Sequence, residues 1–209
     1  MTTDKIDIRI FGVPERWQNI ARTVDILSIK PDRIIIDTNH NGCIPTAKKA
    51  WSIPTDKPYV MVMADDAELC SNFTYYLEKI IDLFPDEIVS LFPIQFCGVD
   101  PKGNNPKESP YVSTIYVSGL ATIMPTKFVK PCIDSWRDDI RGDDTNIQMW
   151  AKANDIPIIT TLPSIVQHIG DDSVFDSSRR IGRTIYYSED PSYMDWDNRY
   201  VTSWTNIIR

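Results

Sequence analysis

Residues 59–63 (Tyr-Val-Met-Val-Met) are apolar at every position and run directly into Ala64-Asp65-Asp66. A strand-length run with no polar face must be covered on both sides, as happens at the centre of a parallel sheet. The surrounding pattern agrees. Strand-type runs are expected at residues 6–13, 33–36 and 87–92, with a longer strand-like stretch at 112–124 and short ones at 156–160 and 164–168. Segments of helical period lie between them: 17–27 (Trp17, Ile20, Ala21, Val24, Leu27), 45–51, 68–84, 127–140 and 143–154. Strands alternating with helices predict an α/β, Rossmann-like fold, its mostly parallel central sheet flanked by helices. A chain of 209 residues fits one domain. Residues 100–110, rich in Pro, Gly, Asn and Lys, are expected to form a mobile loop. Residues 171–209, polar and aromatic with little periodicity, are expected to form a lid or tail.

In such sheets ligands sit at the carboxyl ends of strands. Asp37, Asp65 and Asp66 fall at predicted carboxyl ends, so acids from two strands are expected to share one crevice. Two carboxylates at a strand end make a hard-oxygen site for Mg²⁺ or Mn²⁺, which keep several waters and share their remaining positions with phosphates. The plain alternative is that Asp66 caps the helix expected to follow it. Gly142-Asp143-Asp144 opens another expected helix, where acids in the first turn also suit the helix dipole.

The excess of 29 acidic over 22 basic residues, a net charge of -7, disfavours a sequence-blind nucleic-acid binder. Much of it comes in four Asp-Asp pairs: 65–66, 138–139, 143–144 and 171–172. The start of the chain lacks the basic and apolar regions of a signal peptide. No stretch reaches the roughly 20 apolar residues of a membrane span. Cys43, Cys70, Cys97 and Cys132 are widely spaced, without a zinc-ligand pattern, and read as reduced thiols of a cytoplasmic protein.

The acidic strand end resembles the short motif of nucleotide-sugar glycosyltransferases with the GT-A fold, most like small phage-encoded and bacterial members. There a central strand ends in Asp-x-Asp or x-Asp-Asp. Here the triplet is Ala64-Asp65-Asp66, so the first acid is missing. The resemblance implies Asp66 as metal ligand and Asp65 as a ribose or metal-water contact. Val13-Pro14-Glu15-Arg16 looks like the nucleotide-facing first turn, and Asp37 ends the strand that contacts the base. Gly42 with the segment from Pro45 to Trp51 is similar to the Gly-to-helix stretch that passes the donor, with Lys48 near the diphosphate. Asp143 and Asp144 match the acidic motif that holds the base of inverting members. Residues 163–170 resemble the closing strand, with His168 as second metal ligand and Arg183, beyond Arg179 and Arg180, as a diphosphate clamp.

The resemblance therefore implies a Mn²⁺- or Mg²⁺-dependent enzyme using a nucleotide-sugar donor, a UDP-sugar such as UDP-glucose by expectation. An inverting reaction would use Asp144 or Asp143 as base, whereas a retaining one would need neither in that role. A hydroxymethylated pyrimidine in phage DNA is one expected acceptor, met by Lys127, Lys130, Arg137 and Arg141; a polysaccharide or a protein is the other. Nucleotidyl transfer is disfavoured because only Gly12 stands where a phosphate loop would be. A binding module on the same scaffold is the non-enzymatic alternative. Each residue also has a plainer reading: His168 as a hydrogen-bonded strand histidine, Lys48 and Lys49 as a solvated helix face, the arginines as surface. Trp51, Trp136 and Trp150 read as core, and Trp196 and Trp204 as platforms for an acceptor.

Overall fold

The computed structural model describes residues 4–93, 110–140, 142–169, 183–184 and 186–203. Most of the expected loop at 100–110, the segment holding Asp171, Asp172, Arg179 and Arg180, Arg141, Cys97 and Trp204 lie outside the described residues. The strands are β1 (Ile6–Gly12), β2 (Ile34–Ile36), β3 (Tyr59–Ala64), β4 (Ala67–Leu69), β5 (Ile88–Ser90), β6 (Tyr111–Thr114), β7 (Ala121–Pro125), β8 (Ile158–Thr161), β9 (Val166–His168) and β10 (Val201–Ser203). The helices are α1 (Trp17–Leu27), α2 (Cys43–Trp51), α3 (Phe73–Leu83), α4 (Thr126–Asp134) and α5 (Asp143–Ala153).

Eight strands form one sheet in the order β10-β6-β8-β5-β7-β3-β1-β2, and β4 with β9 makes a separate ribbon. β1, β2, β3, β5 and β8 run the same way, while β7, β6 and β10 run against them. β3 behaves as its composition demands. Met61 and Met63 enter the core that holds Ile20, Leu27, Leu77 and Ile80 from α1 and α3. Val60 and Val62 enter the core with Ala50, Trp51, Ile133 and Ile147 from α2, α4 and α5. The result is a mixed α/β, Rossmann-like sandwich of helices, sheet and helices, and among the described residues no helix is long and apolar enough to cross a membrane.

Four expectations are corrected. The stretch 112–124 is two strands that lie apart in the sheet, with the turn Ser118-Gly119-Leu120 leading into β7. The helix expected from residue 68 begins only at Phe73, because β4 pairs with β9 and Asn72 turns the chain at φ 54°. The helix expected to reach residue 140 ends at Asp134. Residues 186–203 are built into the body: β10 pairs with β6, and Ser164 bridges to Tyr187.

Buried charge holds β1 to the end of α2. The Arg9 guanidinium is fully buried and donates to Asp7 Oδ2 and to the carbonyls of Ala50 and Trp51. Asp7 Oδ1 accepts from Arg33 Nε at 2.8 Å.

Candidate functional site

The parallel strands β1, β2 and β3 end on one edge, and the antiparallel β7 begins there. Asp65 and Asp66 follow β3 directly. Both are buried, at 6% and 5% exposure. Asp65 is turned inward: its Oδ2 accepts the Val13 N–H at 2.8 Å and its Oδ1 accepts from Arg16 at 3.0 Å. Gly12 makes room for this carboxyl, since a Cβ there would stand 2.2 Å from Asp65 Oδ2. A glycine closing a strand marks such a close approach, a signal available in the sequence.

Asp66 caps no helix. It enters β4, and its carbonyl accepts the Ile169 N–H at 2.8 Å. Its Oδ2 takes both a short hydrogen bond from Arg16 and the Nε2 of His168 at 3.0 Å. The pairing of Ala67 with His168 across the ribbon brings that histidine to the acid pair. Asp66 Oδ1 and His168 Nδ1 are buried and find no hydrogen-bond partner among the described residues. Burial pushes the Asp65 carboxyl above its ordinary value, with the neighbouring Asp66 charge adding to it, against the pull of Val13 and Arg16. Burial acts on Asp66 too, but His168 and Arg16 outweigh it and hold that carboxyl low.

The second acidic pair reaches the same edge through α5. Asp143, at 4% exposure, lies against Gly119 and accepts a weak hydrogen bond from the Cys43 thiol, Sγ to Oδ1 3.9 Å. Burial and then the charges of Asp143, Asp144, Asp66 and Asp65 push the Cys43 thiol well above its usual range, so Cys43 stands within electrostatic reach of both pairs. Cys43 opens α2 and Asp143 opens α5, so two helix N-termini, which favour negative charge, meet at this edge. Asp144 is half-buried, and its Oδ1 accepts the Thr145 N–H. Of the two acids expected as base, Asp144 is therefore the accessible one.

Burial, and then the charge of Asp144, push the Asp143 carboxyl well above its ordinary value of 3.8. A folded-state value above the unfolded one means that the folded protein keeps the proton longer. The stability this brings is full below the unfolded value and is lost as pH rises through the folded one. Asp143→Asn carries no charge at any pH. Its melting temperature is expected to rise relative to wild type as the pH goes from about 4 to about 8. Thermal melts across that range check it, and a difference that stays flat would refute the burial argument.

Other expected donor contacts have structural partners. Val13 has a buried side chain, its N–H goes to Asp65 and its carbonyl accepts from Arg16 N, while Pro14 beside it is exposed. Asp37 is buried and shapes the turn into α2: Oδ1 accepts from Asn41 Nδ2 and Oδ2 from the Gly42 N–H. Burial works against the Asp37 charge, but these bonds prevail and hold its pKa at about 2. Gly42, at φ 108°, adopts a conformation that suits glycine alone. Lys48, half-buried, lies in the last turn of α2, about 7.5 Å along the axis from Cys43. Trp196 is corrected. It is buried against Tyr76 and Tyr111, its indole N–H donating to the Pro191 carbonyl. Arg183 is exposed and adjoins Thr184, which is bonded to Gln167 next to His168.

Lys127, Lys130 and Arg137 pair with Asp86, Asp134 and Asp139. Among the described residues, no three His, Cys, Asp or Glu side chains form a metal-holding group by themselves.

No family model and no curated protein matches the chain. Among solved structures, the one titled "Crystal Structure of A197 from STIV" is similar at 12% identity and a TM-score of 0.49, over 78% of this chain and 86% of that chain.

Proposed function

We propose that the chain is a metal-dependent glycosyltransferase that moves a sugar from a nucleotide-sugar donor, a UDP-sugar in the first instance, to an acceptor hydroxyl. The observation that carries this reading is the meeting of Asp65-Asp66, Asp143-Asp144 and His168 at one sheet edge, with the buried Asp66 Oδ1 and His168 Nδ1 lacking partners among the described residues. Asp66 and His168 are the pair that would hold a divalent ion. Their Oδ2 and Nε2 atoms stand 3.0 Å apart. Two protein ligands suffice for Mg²⁺ or Mn²⁺ when phosphates and waters complete the shell. A bound ion supplies Lewis-acid stabilisation of the leaving diphosphate.

The chain's own groups supply the rest. The N-termini of α2 and α5 present a positive end to the donor's phosphates. Asp144, half-buried in the first turn of α5, would take the proton of the acceptor hydroxyl in an inverting reaction.

The test is a thermal-shift panel of nucleotide sugars with and without Mn²⁺, followed by donor hydrolysis. A donor present at 100 times its Kd stabilises the folded state by about 2.7 kcal/mol. At this chain length that is a shift of roughly 5–11 °C. The expected result is a selective, Mn²⁺-dependent shift with turnover. No shift and no hydrolysis with any donor would overturn the proposal, and a shift without turnover would leave a binding module.

A further inference from the structure

We infer that Arg16 and a divalent cation are alternative occupants of the Asp65-Asp66 pair, so that metal binding must first displace the Arg16 side chain. This rests on the metal reading above. The Arg16 guanidinium bridges the two acids, through Asp65 Oδ1 at 3.0 Å and through Asp66 Oδ2. That same Asp66 oxygen is the one facing His168. A guanidinium in hydrogen-bond contact with Asp66 Oδ2 and an ion ligated by it would be like charges a few ångströms apart in a buried setting, where repulsion is weakly screened. The two therefore exclude each other.

Two carboxylates that lose the guanidinium can offer their charge to a divalent cation in its place. Asp66 Oδ1, buried without a partner among the described residues, adds unused acceptor capacity at the same point. The exchange proceeds by rotation of a long side chain. The Arg16 backbone is held separately, its N–H on the Val13 carbonyl at 3.2 Å, and the neighbouring Pro14 and Glu15 are exposed. Turned from the acids, the guanidinium can meet a diphosphate, for which its planar fork is suited. Arg16 is thus a counter-cation that holds the acid pair together before loading, and a positioning residue for phosphate after it.

Mn²⁺ binding without nucleotide, followed by titration calorimetry and water-proton relaxation, tests this. Arg16→Gln is expected to bind Mn²⁺ about tenfold more tightly than wild type, Arg16→Lys to fall between them, and Asp66→Asn to lose binding. Far-ultraviolet circular dichroism and melting curves establish that each variant is folded. In the wild-type protein, a Mg²⁺ titration is expected to shift the Arg16 Nε–H resonance, a readout that needs no variant. Equal or weaker Mn²⁺ binding by a folded Arg16→Gln, or an Arg16 signal unmoved by saturating Mg²⁺, would overturn the exchange and leave the metal site standing. Wild-type binding that survives Asp66→Asn would overturn the metal site itself.

Discussion

Arg9→Ala is expected to lower the melting temperature by roughly 6–20 °C, the largest loss of stability expected from a single change in this chain. The guanidinium is completely buried. Its Nε and Nη2 donate to Asp7 Oδ2 at 3.1 and 2.8 Å, and its Nη1 donates to the Ala50 and Trp51 carbonyls at 2.8 Å each. Those carbonyls belong to the last turn of α2, where the Ala50 carbonyl also takes the Ile53 N–H at 3.5 Å. Truncation leaves both without this donor and Asp7 with Arg33 as its remaining ionic partner. Breaking a buried pair on one side costs about 3–5 kcal/mol, and each kcal/mol moves the midpoint by about 2–4 °C at this chain length. Arg9→Lys keeps the charge but loses the fork, so it falls between the two. Differential scanning calorimetry decides; a midpoint within about 2 °C of wild type would mean that the network contributes nothing.

That network was also the least legible part of β1. The isoleucines at 6, 8 and 10 alternate as a strand should and all reach one core. Asp7 and Arg9, on the opposite face, read in the sequence as ordinary polar positions; only the return of α2 shows that they are buried. β3 was legible because an unbroken apolar run has one solution, burial on both faces. The division of residues 112–124 was not, because β6 and β7 are both apolar, and what separates them is the Ser118-Gly119 turn. β4 lay hidden in a helical period for a similar reason: Leu69 suits a helix as well as a strand, and its pairing with β9 is a long-range contact that periodicity does not carry.

At the candidate site, residue types at strand ends were informative and side-chain directions were not. Asp65 and Asp66 are adjacent, yet Asp65 faces β1 and Asp66 faces the ribbon, as successive residues near a strand do. Asp143 and Asp144 split in the same way, one against Gly119 and the other half open to solvent. Cys43 reads in the sequence only as a reduced thiol; its place near the pairs comes from α2 beginning at Cys43, two residues before the expected Pro45. Trp196 shows the opposite error, an aromatic in an aperiodic segment that packs on Tyr76 because α3 leaves its surface uncovered there.

Asp66→Ala is expected to reduce metal-dependent turnover of the donor by on the order of 10³-fold, the largest effect on activity. The proposal gives this carboxylate the ion that neutralises the leaving diphosphate, an effect of several kcal/mol in the transition state. The Asp66 side chain caps no helix, and its carboxylate faces Arg16 and His168. Asp65 differs, because it pins Val13 across the strand ends. Asp65→Asn should therefore show first in thermal stability, and Asp66→Ala first in kcat. Asp138→Asn, in an exposed acidic pair, provides the control and should change neither. The comparison uses the donor that the thermal-shift panel selects, with kcat and Mn²⁺ dependence measured for each variant. If Asp66→Ala retained more than about a tenth of wild-type turnover, the ion would have to be bound elsewhere or not be needed, because a ligand holding several kcal/mol of transition-state stabilisation cannot be removed so cheaply.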